Sequence, residues 1–331
     1  MTVRVLVTGG CGYVGSALVP RLQEVSAIDE VRVLDNLSSG SPANLAAADV
    51  ARSDFEFHEG DVRDYGVVEA ATRDVNAIVH LAAITGAKST HDRARETRAV
   101  NLEGTENVLK AARKFDVDRF VFASSCNCYG RAEARNIDET VEPDPINPYA
   151  ETKHEAEQLL AEYGAAHKVD ATALRMSTVY GYAPGVRFNL VVNAFVFRAL
   201  TDRPLTVYGN GSNWRPFVHV EDAARAFTDA ATRPERWSAA VYNVGASAEN
   251  YRIETIAETI DETLDRTLDI TYLREKRPGP SYHVNFDRLA ETGFDLRWSL
   301  PEGVADLAAR LGGARVGDRT VQSALAGGET E

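Results

Sequence analysis

The stretch VTGGCGYVGS follows an alternating apolar run at the start of the chain and leads into a helical pattern. Gly10, Gly12 and Gly15 fit the spacing G-x-G-x-x-G, and Gly9, Gly12 and Gly15 also fit the wider G-x-x-G-x-x-G. Such a turn needs glycine because its backbone bends tightly and approaches a pyrophosphate, which the amides of the following helix bind. A turn of purely structural use is the alternative. The motif favours a nucleotide-binding parallel sheet.

The next predicted strand, VRVLDN, supports that interpretation because it ends in Asp35, 20 residues after Gly15. An acid there accepts hydrogen bonds from ribose hydroxyls and repels a 2′-phosphate, so NAD is favoured over NADP. GDVRD closes a third strand, where an ordinary turn acid is the alternative to a residue beside the adenine. The residues assigned to NAD from these motifs are Gly9, Gly12, Tyr13, Val14, Gly15, Asp35, Asn36, Asp61 and Val62.

Strand-like and helix-like segments alternate through the first half of the chain, which is the pattern of a parallel sheet covered on both faces. After residue 176 the alternation gives way to loops that contain Tyr, Gly and Pro. We therefore predict an α/β fold, a doubly wound parallel sheet (Rossmann) with a smaller C-terminal substrate-binding lobe. The predicted NAD-binding domain covers 1–176 and about 217–247, the lobe about 177–216 and 248–312, and a flexible tail 313–331.

Charge and apolar pattern exclude several classes of partner. A net charge of −13, from 49 acidic and 36 basic residues, disfavours binding to a nucleic-acid backbone. No run approaches the roughly 20 apolar residues that span a bilayer. The first residues have the pattern of a strand, so we expect no secretory leader. We expect a cytoplasmic protein with no membrane or nucleic-acid partner.

Two of the three cysteines, Cys126 and Cys128, lie one residue apart in SSCNCYG, and Cys11 belongs to the glycine turn. Three cysteines do not make a disulfide framework in a chain of 331 residues. A metal at the pair needs further ligands at suitable spacing, and the seven histidines show neither H-x-x-H nor H-E-x-x-H. We predict reduced thiols and no metal site.

Tyr149 and Lys153 lie four residues apart in NPYAETKHEAEQLL, hence on one face of a predicted helix. A solvated surface pair is the default interpretation, but the glycine motif and the strand end FASSCNCYG precede it. With GDVRD, HLAA, NLEGT, YAETK, RMSTVYG, WRPFVHVEDAARA, YNVG and KRPG, these motifs span about residues 3–310. Through them the chain resembles the extended short-chain dehydrogenase/reductase family, in particular its NAD-dependent sugar-nucleotide epimerases and dehydratases.

The resemblance implies a catalytic set of Ser125, Tyr149 and Lys153. Tyr149 takes the role of base, Lys153 lowers its pKa, and Ser125 hydrogen-bonds the reacting sugar oxygen. A phenol of pKa about 10 is a poor base at neutral pH, whereas a nearby ammonium and an oxidised nicotinamide both favour its ionisation. The resemblance also places NAD beside the segment from His80 to Ala83. It adds Leu81, Ala82, Ala83, Asn101, Ser124, Tyr149 and Lys153 to the predicted cofactor residues.

The two residues after Ser125 distinguish the reactions of this family. Dehydratases that resemble the chain carry Asp then Glu there, to protonate the leaving hydroxyl, and decarboxylases usually carry Glu in the second place. Cys126 and Asn127 supply no carboxylic acid. The 3,5-epimerising branch and the related epimerase-reductases use cysteine in the second place, and Cys126 is one residue early. Epimerisation at C4 needs no additional acid and is favoured.

Thr178 in RMSTVYG stands where galactose-type 4-epimerases usually carry Asn, whereas some uronic-acid 4-epimerases carry Thr with Arg a few residues on. Arg187 lies about two residues later than that Arg, and a guanidinium suits a carboxylate or a phosphate equally. The resemblance places Arg215 and Arg277 on the substrate diphosphate. The predicted substrate residues are Ser125, Cys126, Asn127, Tyr149, Thr178, Arg187, Asn193, Tyr208, Arg215 and Arg277.

The resemblance thus implies an NAD-dependent sugar-nucleotide 4-epimerase for UDP-hexose or UDP-hexuronate, which works through a transient 4-keto sugar by hydride transfer to and from bound NAD. A 4-dehydrogenase, a 4-ketoreductase or a dehydratase is the alternative among enzymes, and an NAD-binding scaffold is the alternative outside them. Family members often dimerise by pairing helices, including the one with Tyr149 and Lys153, so we expect a homodimer. The apolar stripe of that helix, Ala156, Leu159, Leu160 and Tyr163, alternatively faces its own sheet.

Overall fold

The structure is a computed structural model that describes residues 3–86, 89–130, 135–167, 169–265, 267–276 and 279–313. The predicted tail from residue 314 onward and Arg277 lie outside the described residues. Within the described part of the chain, no helix is long and apolar enough to cross a membrane.

A seven-stranded parallel sheet forms the centre of the fold, in the order β3-β2-β1-β4-β5-β6-β10. Its inner strands are apolar and buried on both sides, as a sheet covered on both faces requires. The predicted doubly wound α/β fold is confirmed. The strands are β1 (Val3–Thr8), β2 (Ile28–Asp35), β3 (Phe55–Glu59), β4 (Ala77–His80), β5 (Arg119–Ser125), β6 (Asp170–Met176) and β10 (Val241–Val244).

Helices cover the two faces of this sheet through two separate apolar clusters. The first and seventh helices pack together on one face, and the second, fourth and fifth pack on the other. The helices are α1 (Tyr13–Gln23), α2 (Tyr65–Thr72), α3 (Ala94–Arg98), α4 (Gly104–Lys114), α5 (Pro148–His167), α6 (Val191–Leu200), α7 (Val220–Thr232), α8 (Ile253–Leu264), α9 (Asp287–Glu291) and α10 (Leu300–Gly313).

The stripe predicted on α5 packs against its own sheet. Ala156 and Leu160 are buried in the cluster beneath the helix, and Leu159 and Tyr163 lie partly buried against it. The stripe therefore has a partner within the chain, and the homodimer stays a prediction.

A smaller lobe follows the sixth strand. Its helices α6, α8 and α10 enclose a third apolar cluster. Two small sheets accompany them: β7 (Thr178–Tyr180), β9 (Trp214–His219) and β11 (Asn250–Arg252) form one, and β8 (Leu205–Tyr208) pairs with β12 (Ile270–Leu273) in the other. The exact domain boundaries stay a prediction.

Candidate active site

The glycine turn joins β1 to α1 in a conformation that glycine makes possible. Gly9 has φ +72°, and a Cβ added to it would lie 2.7 Å from the backbone nitrogen of Ala82. A Cβ on Gly15 would lie 2.4 Å from the carbonyl oxygen of Gly10. Gly12 caps α1, and no side chain bonds the first amides of that helix. The turn thus has the close backbone approach and open helix N-terminus that a pyrophosphate needs.

We predict that Gly9→Ala destabilises the fold by at least about 2 kcal/mol. Alanine disfavours a left-handed backbone by about 1 to 2 kcal/mol, and the contact with Ala82 adds to that cost. Urea denaturation measures the change. Gly312→Ala is the matched control, because a Cβ there meets no atom within 4 Å. Equal stabilities of the two variants would contradict the prediction.

Asp35 ends β2 beside the glycine turn and is buried. One carboxylate oxygen accepts the amide hydrogen of Cys11 at 2.9 Å, and the other accepts that of Leu37 at 2.8 Å. These bonds fix the orientation of the carboxylate, and each oxygen keeps a second lone pair for a ribose hydroxyl. Leu37 has φ +56°, which shows how sharply the chain turns after this acid.

Asp61 lies near the same edge and holds two neighbours. It accepts a hydrogen bond from Asn36 at 2.7 Å and binds Arg63 bidentately at 2.9 and 2.7 Å. The Arg63 guanidinium, the largest cause, holds the pKa of this carboxyl well below its usual range. Because Arg63 is paired with Asp61, its charge is not offered to a 2′-phosphate, and the site therefore suits NAD better than NADP. Together with the glycine turn and Asp35, these residues fit a dinucleotide.

His80, at the end of β4, is buried and bonded on both ring nitrogens. Nδ1 lies 2.6 Å from the hydroxyl of Thr8, and Nε2 lies 2.9 Å from that of Thr105. Thr105 donates its own hydrogen to the carbonyl of Asn101, so it accepts a hydrogen from Nε2 of His80. Burial lowers the pKa of His80 to about 3, and the charge of Lys153 adds to the effect. His80 therefore supports the backbone beside residues 81–83, which are half-buried.

Asn101 lies in a π-helical turn, Ala99–Glu103, between α3 and α4, and is fully buried. Its Oδ1 accepts the amide hydrogen of Ile84 at 2.8 Å, and its Nδ2 donates to the carbonyl of Ile84 at 2.9 Å. Nδ2 also lies 3.1 Å from the hydroxyl of Thr152, next to Lys153. Asn101 thus links the segment after β4 to α5 by hydrogen bonds. Its effect on the predicted cofactor site is indirect, because it positions this segment.

Ser125 ends β5, and its hydroxyl oxygen accepts the amide hydrogen of Asn127 at 3.2 Å. Its own hydrogen is left to bond Tyr149 or a substrate oxygen. Asn127 is oriented by a chain of amides: Asn147 accepts the amide hydrogen of Ala150 with Oδ1 and donates to Asn127 Oδ1 at 3.0 Å. Because Oδ1 of Asn127 accepts from Asn147, the polar group that the Asn127 side chain offers to other partners is its NH₂ group, a donor.

Tyr149 and Lys153 lie on α5, as predicted, in the turns after its start at Pro148. Burial raises the pKa of Tyr149, whereas its hydrogen bond with Ser125 and the charge of Arg187 lower it. Burial lowers the pKa of Lys153 to about 7. Burial is thus the largest effect on the pKa of Tyr149, and it opposes ionisation of the phenol. The lowering of this pKa by Lys153 stays a prediction.

Strand β5 does not continue past Ser125, because Cys126–Tyr129 form a 3-10 helical turn. Both thiols are buried: the Cys126 thiol lies 3.2 Å from the carbonyl of Arg175, and Cys128 is fully enclosed. Burial raises the pKa of Cys128 to about 12. The side chain of Cys126, which the sequence analysis assigns to the substrate, thus lies in the core. Among the described residues, no group of three or more His, Cys, Asp or Glu is arranged to hold a metal.

The loop after β7 lies against the glycine turn. Tyr13 donates to the carbonyl of Gly181 at 2.6 Å, and Ser16 accepts the amide hydrogen of Gly185 at 3.1 Å. Asn193 is fully buried and accepts the amide hydrogen of Gly181 at 3.0 Å. It also donates to the carbonyl of Arg187 at 3.0 Å. Tyr13 and Asn193, assigned by sequence to cofactor and substrate, therefore both hold this loop.

Arg187 extends from that loop towards the catalytic set. It donates to the hydroxyl of Thr85, and its charge lowers the pKa of both Tyr149 and Tyr13. Thr178 is half-buried at the start of β7. The structure therefore brings a guanidinium near the predicted base.

Two further predicted substrate residues, Tyr208 and Arg215, lie in the smaller lobe. Arg215 on β9 stacks on Tyr282, with its guanidinium 4.5 Å from the ring centroid. Tyr208 is 50% exposed at the end of β8, beside a pocket of about 550 Å³. That pocket is lined by Gly209, Asn210, Ser212, Arg274 and Lys276.

Sequence reasoning missed three residues that orient this site: Thr85, Asn147 and Glu157. Asn147 was recognisable as an N-terminal cap of α5, because Asn precedes the helix. Glu157 follows Lys153 by one helical turn in the sequence. Thr85 gave no signal, since its contact with Arg187 joins residues far apart in the chain.

Comparisons with known proteins agree with this geometry. The model of the NAD dependent epimerase/dehydratase family matches residues 5–245. The low-salt glycan biosynthesis protein Agl12 of Haloferax volcanii is 33% identical over 303 residues, which are 91% of this chain and 96% of that protein. A dTDP-glucose 4,6-dehydratase of Actinoplanes sp. is 28% identical over 315 residues, 93% of this chain and 97% of its own length. The UDP-glucose 4-epimerase of Thermus thermophilus, solved in complex with NAD, has a TM-score of 0.79 and 29% identity, with 94% of this chain and 100% of that chain covered.

Proposed function

The chain belongs to the NAD-dependent epimerase/dehydratase family, and we propose that within it the chain is a sugar-nucleotide 4-epimerase that acts on a UDP-hexose or UDP-hexuronate. The family confirms the prediction of an enzyme that uses NAD. Both an epimerase and a dehydratase are similar to the chain, so the choice between these reactions rests on the site itself.

The observation that carries the proposal is the pair of residues after Ser125. Loss of water requires an acid that protonates the leaving hydroxyl. Cys126 is buried with a thiol that contacts a backbone carbonyl, and Asn127 presents an amide donor that does not titrate. Neither side chain provides that proton, whereas epimerisation at C4 needs one base and a fixed orientation of the sugar oxygen.

In the proposed reaction, Tyr149 takes the proton of the C4 hydroxyl and later returns it. Ser125, whose oxygen accepts the Asn127 amide hydrogen, donates to the sugar oxygen and orients it. Lys153 stabilises the phenolate by its charge. NAD, when bound, supplies the acceptor and then the donor of the hydride at C4. Rotation of the 4-keto sugar between the two transfers inverts C4.

Proton NMR of the purified protein with UDP-glucose, UDP-galactose, UDP-glucuronate and the corresponding GDP and dTDP sugars tests the proposal. We expect anomeric signals of a C4-inverted sugar without accumulation of NADH. Accumulated NADH would instead support a 4-dehydrogenase, and a 4-keto-6-deoxy product would support a dehydratase. Binding of NAD without turnover of any of these sugars would favour the scaffold alternative.

A hexuronate is the substrate that Arg187 and Thr178 favour. The charge of Arg187 acts on Tyr149, which supports the proposal that its guanidinium binds a carboxylate at C6, a group that a neutral hexose lacks. If Arg187 binds a phosphate instead, its replacement lowers kcat/KM equally for every sugar nucleotide, because the diphosphate is common to all of them.

We predict that Arg187→Met lowers kcat/KM for a UDP-hexuronate about 10- to 100-fold, the size of one lost charge-assisted contact. For a neutral UDP-hexose we expect a change of less than about threefold, because no carboxylate is lost from its complex. Parallel kinetics on the two substrates measure the difference, and each substrate serves as the control for the other. Equal losses would reject the carboxylate contact.

Two further parts of the proposal follow from the family resemblance. We propose that the chain is a homodimer in the cytoplasm, paired through helices that include α5. Light scattering of the purified protein measures the mass directly, and a monomer at micromolar concentration would reject the dimer.

A further inference from the structure

Helix α5 carries a buried carboxylate one turn beyond Lys153. Glu157 is 6% exposed, and its spacing of four residues from Lys153 places both on one face of the helix. Arg175 on β6 donates to it from Nε at 3.0 Å and from Nη2 at 2.7 Å. Ser124, next to Ser125 at the end of β5, also donates to Glu157. One side chain thus joins the helix of the predicted base to the ends of two central strands.

Arg175 is itself held on its far side. Its Nη1 donates to the hydroxyl of Tyr129 at 2.9 Å, and the guanidinium lies 5.0 Å from the centroid of that ring. Tyr129 donates to Asn243 on β10 at 2.8 Å. The ion pair is therefore part of a hydrogen-bonded network in which every partner is buried.

Glu157 also balances charge. Lys153 is 2% exposed, and its ammonium lies 4.6 Å from the centroid of the Phe122 ring. Burial lowers the pKa of Lys153, and the charge of Glu157 raises it. Other titratable and charged groups surround Lys153 and Glu157. They are His80 on β4, Tyr149 and His154 on α5, Arg175 on β6, and Cys126, Cys128 and Tyr129 in the 3-10 turn.

We propose that Glu157 is a positioning residue of the site: its carboxylate is the shared buried counter-ion of Lys153 and Arg175, and it fixes α5 against the strand end that carries Ser125. The inference rests on the proposed function only for the catalytic role of Lys153. Glu157 touches no predicted reacting atom, so it acts through Lys153 and Ser124.

The expected sign follows from simple electrostatics. Loss of the carboxylate makes the protonated form of Lys153 less favourable, so its pKa falls. Catalysis in the proposed mechanism needs Tyr149 ionised and Lys153 protonated. In a plot of turnover against pH, the limb that depends on the protonation of Lys153 therefore moves to lower pH. The midpoint between the two limbs of the plot moves in the same direction.

The test is a titration of the lysine side chains by NMR in Glu157→Gln, without substrate or NAD. The chain has six lysines, so a protein labelled with ¹³C-lysine gives six side-chain signals, and the one missing in Lys153→Arg identifies Lys153. We expect a midpoint of about 7 in the natural protein. In Glu157→Gln we expect it to move about one pH unit lower.

Asp170→Asn is the matched control. It removes the carboxylate that binds Arg119 at 2.6 Å, a second buried arginine at the other end of the same two strands. We expect no change in the midpoint of Lys153 there. Because a lone buried charge on Arg175 can prevent folding, the double variant Glu157→Gln/Arg175→Met is made in parallel; replacing a whole buried ion pair is often tolerated.

The outcomes separate the explanations. A lower midpoint in Glu157→Gln or in the double variant, with an unchanged midpoint in Asp170→Asn, supports the proposal. An unchanged midpoint in all three overturns it and leaves Glu157 a structural residue. Since no turnover is measured, these results do not depend on the reaction, which the sugar-nucleotide experiment tests separately.

Discussion

Tyr149→Phe is expected to lower turnover about 1000-fold while NAD binding changes less than about twofold. A positioned general base contributes on the order of 10² to 10⁴ in rate, and phenylalanine keeps the ring but cannot carry the proton. The ring is half-buried, and its hydroxyl bonds Ser125 within the site, so we expect the fold to persist. Turnover is measured by NMR and NAD binding by calorimetry.

Tyr163→Phe provides the control for that experiment. Tyr163 lies on the same helix and packs partly buried against the core, and the centroid of its ring lies 5.3 Å from that of the His167 ring. Its hydroxyl has no part in the proposed reaction, so turnover should stay within about twofold of the natural protein. Full activity of Tyr149→Phe would exclude Tyr149 as the base.

Asn101→Leu is expected to reduce the free energy of unfolding by about 3 to 5 kcal/mol. Leucine removes three hydrogen bonds and leaves both backbone groups of Ile84 without their partners, and each such group costs about 1 to 3 kcal/mol. The segment after β4 should then move, so we also expect weaker NAD binding. Urea denaturation with and without NAD measures both effects.

Asn107→Leu is the matched variant for this second prediction. Asn107 lies in α4, soon after the π-helical turn that contains Asn101, and its Nδ2 donates to two backbone carbonyls, those of Val62 at 3.0 Å and Arg63 at 3.1 Å. It is only half-buried, so water can replace the lost bonds and we expect a loss of about 1 kcal/mol. If both variants lose the same free energy of unfolding, the hydrogen bonds of Asn101 with Ile84 stabilise the fold no more than those of the half-buried Asn107.

Local patterns in the sequence were sufficient to predict the nucleotide-binding sheet and the helix that carries Tyr149 and Lys153. The glycine turn, the acid at position 35 and the order of strands and helices depend on short-range periodicity, and the structure has them where the patterns predict. Tyr149 and Lys153 share one helix for the same reason. These features follow from spacing along the chain, which the sequence displays directly.

Contacts between segments that lie far apart in the sequence could not be predicted from such patterns. Asn193 was assigned to the substrate, yet it is buried and bonds the loop at Gly181. Cys126 was assigned to the substrate from its place directly after Ser125, yet its thiol is buried and lies 3.2 Å from the carbonyl of Arg175. Which atom a buried amide or thiol meets depends on tertiary packing, and no periodicity reports it.

The proposed 4-epimerisation is tested most directly by a sugar nucleotide that carries deuterium at C4. If hydride leaves C4 and returns to the same carbon, the C4-inverted product retains the deuterium at C4, and ²H and ¹H NMR detect it there. A dehydratase instead forms a 4-keto-6-deoxy sugar. Deuterium found in the C6 methyl group of such a product would contradict the proposed function.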